Sequence, residues 1–251
     1  MSQRDTDIGG NFAHFATTRR SAVAAAGSAD AQERARAYEA LIEAYWKPAY
    51  RHVRAQWRAD NEQAKDLTQA FFLHAIEKGQ FDRFDPTRGS FRHYLRMCLD
   101  AFVSNARKAG ARLKRGGGRA PLSLERLAQD APAAFEPADR SADPQEAFEQ
   151  EWARSILTLA VDALRRQCAA SSKDVLFRLF EAYDLHEGDP ADRPTYSQLA
   201  ERAGIPVTQV TNHLAAARRM LRAAVSDCLR ACSGDEHELE RDLRALLGGP
   251  P

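Results

Sequence analysis

The sequence predicts an all-α fold in which two helical domains are joined by a flexible linker. Three observations carry this expectation. Apolar residues recur with a period near 3.6 through most of the chain, no alternating run long enough for a strand occurs, and a glycine- and proline-rich interval divides the sequence near its middle.

The first dozen residues are polar and contain Gly9 and Gly10, so the chain is expected to begin as a flexible tail. From about Ala29, residues Ala37, Tyr38, Leu41, Ile42 and Tyr45 form one apolar stripe of a helix. Pro48 removes a backbone donor and crowds the preceding turn, which predicts a kink or break near Trp46. A second helix is expected over Asn61 to Lys78, with Leu67, Phe71 and Ala75 facing the core and Gly79 as its stop. Turn residues Asp85-Pro86 and Arg88-Gly89 make Phe81 to Gly89 a loop. A third long helix follows from an N-cap at Ser90 to about Ala111, burying Phe91, Leu95, Leu99 and Phe102.

Gly116-Gly117-Gly118 closes this half, and Pro121, Pro132, Pro137 and Pro144 mark the linker. Beyond it, Trp152, Ile156, Leu159, Val161 and Leu164 fall at helical spacing, as do Val175, Leu176, Leu179 and Phe180. The stretch His186 to Pro194 reads as a loop. The resulting division is a tail over 1–27, a first domain over 28–115, a linker over 116–147, a second domain over 148–232 and an acidic tail or helix over 233–251. That last segment, from Asp235 to Leu247, carries five acids and two arginines around Leu239, Leu243, Leu246 and Leu247. It reads as a short amphipathic helix packing on the second domain, with a segment that shields a basic reading helix as the alternative.

The clearest local motif lies in the second domain. Tyr196 to Arg202 forms a short helix, Gly204 supplies a turn residue able to take positive φ, and Pro206 opens a second helix reaching about Leu229. Leu199, Ala200, Ile205, Val210 and Leu214 supply the packing between the two, as a helix-turn-helix requires. In a DNA reader the early exposed residues of the second helix meet base edges, which nominates Thr208, Gln209, Thr211, Asn212 and His213. Arg218, Arg219 and Arg222 lie further along, suited to phosphates or to a protein partner.

Composition limits the classes of function. The 251 residues are 44% hydrophobic and 28% charged with a formal net charge of +1, so total charge does not announce a nucleic-acid partner. The distribution is uneven: Arg88 to Arg119 holds nine basic residues and one acid, Asp100. Cys98, Cys168, Cys228 and Cys232 have no CxxC spacing, which predicts neither a disulfide framework nor a zinc site. No histidine pair has ligand spacing, and neither an HExxH nor a Walker pattern occurs, so no cofactor, metal or catalytic residue is expected. With no signal-like start and no membrane-length apolar run, a cytoplasmic location is expected.

Asp66-Leu67-Thr68-Gln69 with Phe72, then Phe91-Arg92 and Leu95, then the helix-turn-helix at Gly204, resemble the extracytoplasmic-function group of sigma-70 factors. Phe15 to Arg19, Tyr45-Trp46-Lys47-Pro48, Gly89-Ser90-Phe91-Arg92 and Lys114-Arg115-Gly116-Gly117-Gly118 resemble a subgroup carrying YWxPLY, DLTQxFF, GxFR and KRGG. The resemblance spans about Phe12 to about Leu229. It implies that the first domain corresponds to sigma region 2 and the second to region 4, with the linker threading through polymerase channels. Asp66, Gln69 and Phe72 would dock on the clamp helices of the largest subunit of core RNA polymerase. Arg88, Arg92, His93, Tyr94 and Arg96 would capture the unpaired minus-ten strand of promoter DNA. Arg107, Lys108 and Arg112 would hold duplex phosphates, and the region-4 residues named above would read the minus-thirty-five element. An anti-sigma partner is left open.

The chain departs from the family in two places. Where related proteins carry acids around Leu-Val-Gln, this sequence has Lys65 and Ala70, and each missing surface charge weakens docking by about 0.5 to 1 kcal/mol. Thr68 stands within that deficit, and phosphorylation would add about −1.5 to −2 charges. Activation by a Ser/Thr protein kinase at Thr68 is therefore a hypothesis the sequence motivates, with Thr68 as the subgroup's ordinary residue as its alternative. Asp100-Ala101 replaces a frequent Arg-Asn, which alters the minus-ten reading helix. The competing function is a stand-alone helix-turn-helix regulator acting on duplex operator DNA without polymerase.

Overall fold

The computed structural model describes residues 21–115, 143–186 and 188–248. Among them the chain is all-α, with nine α-helices, three short 3-10 turns and no strand. The segment Phe12 to Arg19 and the linker residues 116–142, including the triple glycine, lie outside the described residues.

The described chain starts with α1 (Ala22–Ala25), where Ser21 Oγ accepts from the Ala24 amide at 3.1 Å. Ala22, Val23, Ala25 and Ala26 are buried, so the expected tail over 1–27 ends in a packed turn. A helix of four residues is too short to show a period, which is why the pattern missed it.

Helix α2 (Ala31–Trp57) is capped by Asp30, whose Oδ1 accepts from the Gln32 amide at 2.8 Å. It continues through Pro48 without the expected break. An interior proline disfavours a helix by about 3 kcal/mol. Here Ala44, Tyr45, Ala49 and Val53 are fully buried on either side of it, so packing over several turns offsets that loss. Arg58 ends the helix with φ 50°.

Helix α3 (Asn61–Glu77) begins at Asp60, whose Oδ1 accepts from the Gln63 amide at 2.9 Å. Its chain reverses at Gly79, φ 54°, where a Cβ would come within 2.6 Å of the Asp82 carboxylate. Two 3-10 turns, Phe81–Arg83 and Pro86–Arg88, follow. Helix α4 (Phe91–Arg115) outlasts its expected end near Ala111, and Ser90 Oγ accepts from the His93 amide at 3.2 Å.

The second half comprises α5 (Pro144–Ala170), α6 (Asp174–Tyr183), α7 (Tyr196–Ala203), α8 (Val207–Cys232) and α9 (Glu236–Leu247). The described residues form two apolar cores. One joins α1 to α4 with Phe148, Trp152 and Ile156 of α5, Val225 and Leu229 of α8 and Leu239 of α9. The other joins Leu164 of α5, Phe180 of α6, Leu199 of α7 and Val210 and Leu214 of α8. Helices α5 and α8 therefore run through both cores, and the division between the cores falls inside these helices. Helix α9 packs on α8, and its Leu243, Leu246 and Leu247 lie against the first core.

Aromatic rings form the centre of the first core. Phe91 meets Tyr45 at 5.5 Å, Phe81 at 5.5 Å and Phe84 at 5.2 Å between ring centroids, each edge to face. Phe91 is fully buried, so replacing it with alanine removes these contacts and leaves a cavity at the start of α4. Phe91→Ala is expected to lower unfolding stability by about 3–5 kcal/mol in urea titration; a loss below about 1 kcal/mol would contradict this packing.

Candidate protein- and nucleic-acid-binding surfaces

Helix α3 presents one stripe to solvent. Asp66 and Gln69 are exposed together with Ala70, Leu73 and Ile76, the last two 53% and 45% exposed. Leu73 and Ile76 thus leave large apolar side chains open to water on this stripe. Leu73 and Ile76 were not nominated from sequence, although they continue the Asp66 and Gln69 face at i+4 and i+7 from Gln69. Phe72 was expected on this surface, but it is 3% exposed and stacks on Trp46 with centroids 5.9 Å apart. Its position one residue beyond Phe71 turns it inward with the core stripe.

Thr68 also faces inward. It is fully buried, and its Oγ1 has no hydrogen-bond partner. The surface charge deficit expected around it is partly organised by Lys65, whose Nζ lies 3.4 Å from Glu62 Oε1 one turn earlier. A phosphate on Thr68 would have no room in this packing, so modification requires α3 to lift from the core.

The expected minus-ten residues divide into exposed and engaged groups. Arg88 is exposed on the turn Pro86–Arg88, which Asp85 fixes by accepting from the Thr87 amide at 3.0 Å and hydroxyl at 2.7 Å. These Thr87 hydrogen bonds hold the Asp85 carboxyl below its usual range. His93 and Lys108 are exposed. Arg96 is half-buried, with Nη2 donating to Gln145 Oε1 at 2.9 Å. Tyr94 donates its hydroxyl to the Gln80 carbonyl at 2.8 Å, and burial pushes its pKa up to about 12. Arg107 stacks over Trp57 at 5.1 Å and donates to the Trp57 carbonyl. The Arg112 side chain lies outside the described residues.

Arg92 departs furthest from expectation. Instead of facing a strand, it is 7% exposed and enclosed by carboxylates. Its Nε donates to Glu149 Oε2 at 2.7 Å, while Nη1 and Nη2 donate to the two Asp242 oxygens at 2.6 and 3.0 Å. Glu238 lies 3.7 Å from Nη1, and the Trp152 ring stacks 3.9 Å from the guanidinium carbon. Burial opposes the charge, but the Asp242 hydrogen bonds and the neighbouring anionic groups outweigh it and raise the Arg92 pKa. These partners stand 57 and 150 positions away, and no local pattern indicates them.

Asp100, the departure in the same helix, has a structural role. Its Oδ1 accepts from Trp57 Nε1 at 2.8 Å and lies 2.9 Å from His52 Nε2, tying α4 to α2. Burial would raise this carboxyl, but the His52 and Trp57 contacts outweigh it and lower the pKa.

The second unit carries the expected helix-turn-helix. Thr195 and Gln198 form a reciprocal capping box at α7, Gly204 turns the chain with φ 65°, and Pro206 occupies the N-cap of α8. Val210, Leu214 and Ala217 are fully buried, which leaves Thr208, Gln209, Thr211 and Asn212 exposed at the start of α8 and His213 half-buried. Val207, not nominated from sequence, is 44% exposed beside them. Arg219 and Arg222 are exposed. Arg218 is held by Asp184, with Nη2 donating to Oδ1 at 2.8 Å and Nε to Oδ2 at 3.1 Å, so it is not a free phosphate contact in this conformation.

A solvent-facing polar and apolar stripe on α3 and a helix-turn-helix whose second helix leaves its first turns exposed are two open surfaces of the described residues. The family model for ECF sigma factor matches residues 22–227, and the chain belongs to that family. Its members are alternative sigma factors that bind core RNA polymerase and promoter DNA in transcription initiation. No curated protein and no solved structure matches the chain significantly.

The buried Thr68 hydroxyl gives a direct test of the α3 packing. Removing a buried polar group without a partner relieves its desolvation, so Thr68→Val is expected to raise stability by about 1 kcal/mol in urea titration. A loss of that size would show that the hydroxyl is bonded in solution.

Proposed function

We propose that α3 docks this sigma factor on the clamp helices of core polymerase through Asp66, Gln69, Leu73 and Ile76. The single observation that carries this reading is the exposure of Leu73 and Ile76 in line with Asp66 and Gln69. An apolar pair flanked by an acid and an amide offers contact area with a polar edge, the usual make-up of a protein-binding surface. In this scheme residues 28–115 act as region 2 and residues 148–232 as region 4. Arg88 and His93 meet the minus-ten strand first because they are already exposed, while Thr208, Gln209, Thr211 and Asn212 read the minus-thirty-five duplex. Lys108, Arg219 and Arg222 contribute phosphate contacts, which make the affinity salt-dependent.

Thr68 remains the proposed target of a Ser/Thr protein kinase, with an altered mechanism. Because the side chain faces the core, the kinase has to act on a locally opened α3, and the added charge then prevents its return. The consequence is a change in how α3 is presented rather than a replacement for the missing surface acids. Full transcription by Thr68→Ala in cells would remove this part of the scheme.

Docking is tested with purified core polymerase and full-length chain. Leu73→Arg places a charge at an exposed position, so it should change stability by no more than about 0.5 kcal/mol. It is expected to weaken core binding by about tenfold or more and to reduce transcription from mapped start sites in step. Unchanged core affinity would reject α3 as the docking helix. If the unmodified and Thr68-phosphorylated chains both fail to direct any start site, the sigma-factor scheme for this chain fails.

The reading face has its own test. Asn212→Ala is expected to reduce use of promoters that carry a minus-thirty-five element while leaving core affinity unchanged, as read by footprinting of the holoenzyme. An unaltered footprint would place the reading residues elsewhere on α8.

A further inference from the structure

We propose that α9 is a built-in latch over Arg92 and the first amides of α4, and that it must be released before these groups can take up the minus-ten strand that Arg88 and His93 meet first. The proposal rests on the sigma-factor reading above and concerns the regulation of the same site.

The latch is visible at three adjoining points. Asp242 takes Arg92 in a two-point hydrogen bond, at 2.6 and 3.0 Å. One turn earlier, Glu238 Oε2 accepts from the Phe91 amide at 3.4 Å and from the Gly234 amide at 2.8 Å. A carboxylate therefore occupies the first turn of α4, where the helix presents free N–H groups. Between α8 and α9, Gly234 lies against Phe84 so closely that a Cβ there would overlap the ring.

The chemistry of the covering groups matches what they exclude. Glu238 and Asp242 stand one helical turn apart and are 4% and 3% exposed, so two buried anions occupy the cationic start of α4. A DNA strand would bring phosphates to the same guanidinium and the same amides. The strand and α9 cannot hold Arg92 in this way together, so they compete. The closed form is also incompletely satisfied: Glu238 Oε1 is buried without a hydrogen-bond partner. A contact that leaves a buried carboxylate oxygen unbonded is more readily exchanged than a fully bonded one.

Two full-length variants open the latch by unrelated means. Glu238→Gln with Asp242→Asn removes both negative charges, whereas Gly234→Ala keeps every charge and pushes the lead-in of α9 off Phe84. Each is measured by hydrogen exchange of α9, by affinity for core polymerase, and by total transcript from fragmented genomic DNA. If the latch is closed about nine-tenths of the time, freeing it raises competent protein about tenfold. Both variants are then expected to lose α9 protection and to increase transcript by about that factor. Loss of α9 protection with core binding intact and no rise in transcript would overturn the latch while leaving the sigma-factor reading standing. Retained protection in both variants would overturn it equally, because neither the anions nor the Phe84 contact would be holding the helix. Failure of every form to bind core would instead remove the sigma-factor reading, and the latch with it.

Discussion

The burial of one guanidinium fixes where α4, α5 and α9 meet. Arg92 projects from the first turn of α4 into a space closed by α5 and α9, and its charge persists there because Asp242, Glu149 and Glu238 surround it. Removing one member of such a cluster strands a buried charge and typically destabilises by about 3–5 kcal/mol. Replacing the whole cluster with well-packed apolar residues is often neutral or favourable. Stability alone is therefore a poor reason for it. The cluster instead fixes an arrangement: Asp242 is paired with Arg92 only where α9 lies over the first turn of α4, and Glu238 is carried there with one oxygen left unbonded.

Helices α5 and α8 connect this point to the rest of the protein. Trp152, which stacks on Arg92, belongs to α5, and the same helix reaches the second core through Leu164 and Cys168. In α8, Val210 and Leu214 anchor the helix-turn-helix while Val225 and Leu229 belong to the first core. A helix of this length extends about 39 Å. The exposed start of α8 and the end bearing α9 are consequently two ends of one continuous helix, and they are not joined by a loop that would absorb displacement.

Legibility in the sequence followed the range of the interactions. The helix-turn-helix was readable because Thr195, Gly204 and Pro206 act within a few residues of themselves, through a cap, a positive φ and a fixed φ. Pro48 misled because its local effect is real but smaller than the packing of the long helix around it. Thr68 and Phe72 misled for a different reason. Ala64, Thr68, Phe71, Phe72 and Ala75 are all buried at helical spacing, so the inward face of α3 was present in the pattern. Reading the stripe from Leu67, which is only half-buried, rotated that face by one residue. The Arg92 cluster had no such signal: the leucine spacing of 235–247 makes α9 legible as an amphipathic helix, but acids and base lie far apart in the chain and nothing local says which helix its acids meet.

The exposed and covered surfaces also suggest an order of events. In this conformation Asp66, Gln69, Leu73 and Ile76 of α3 face solvent, and so do Thr208, Gln209, Thr211 and Asn212 of α8. At the start of α4, by contrast, Arg92 and the Phe91 amide are covered, by carboxylates whose charge has the sign of a nucleic-acid backbone. If α3 serves polymerase and α8 serves duplex DNA, both can engage while Arg92 remains sealed. The unpaired strand then arrives as a competitor already held close by the other contacts, and proximity raises its effective concentration against α9. A free single strand has no such advantage. The arrangement would thus favour minus-ten capture within an assembled promoter complex over capture by the isolated chain, using only the difference between a tethered and a free anion.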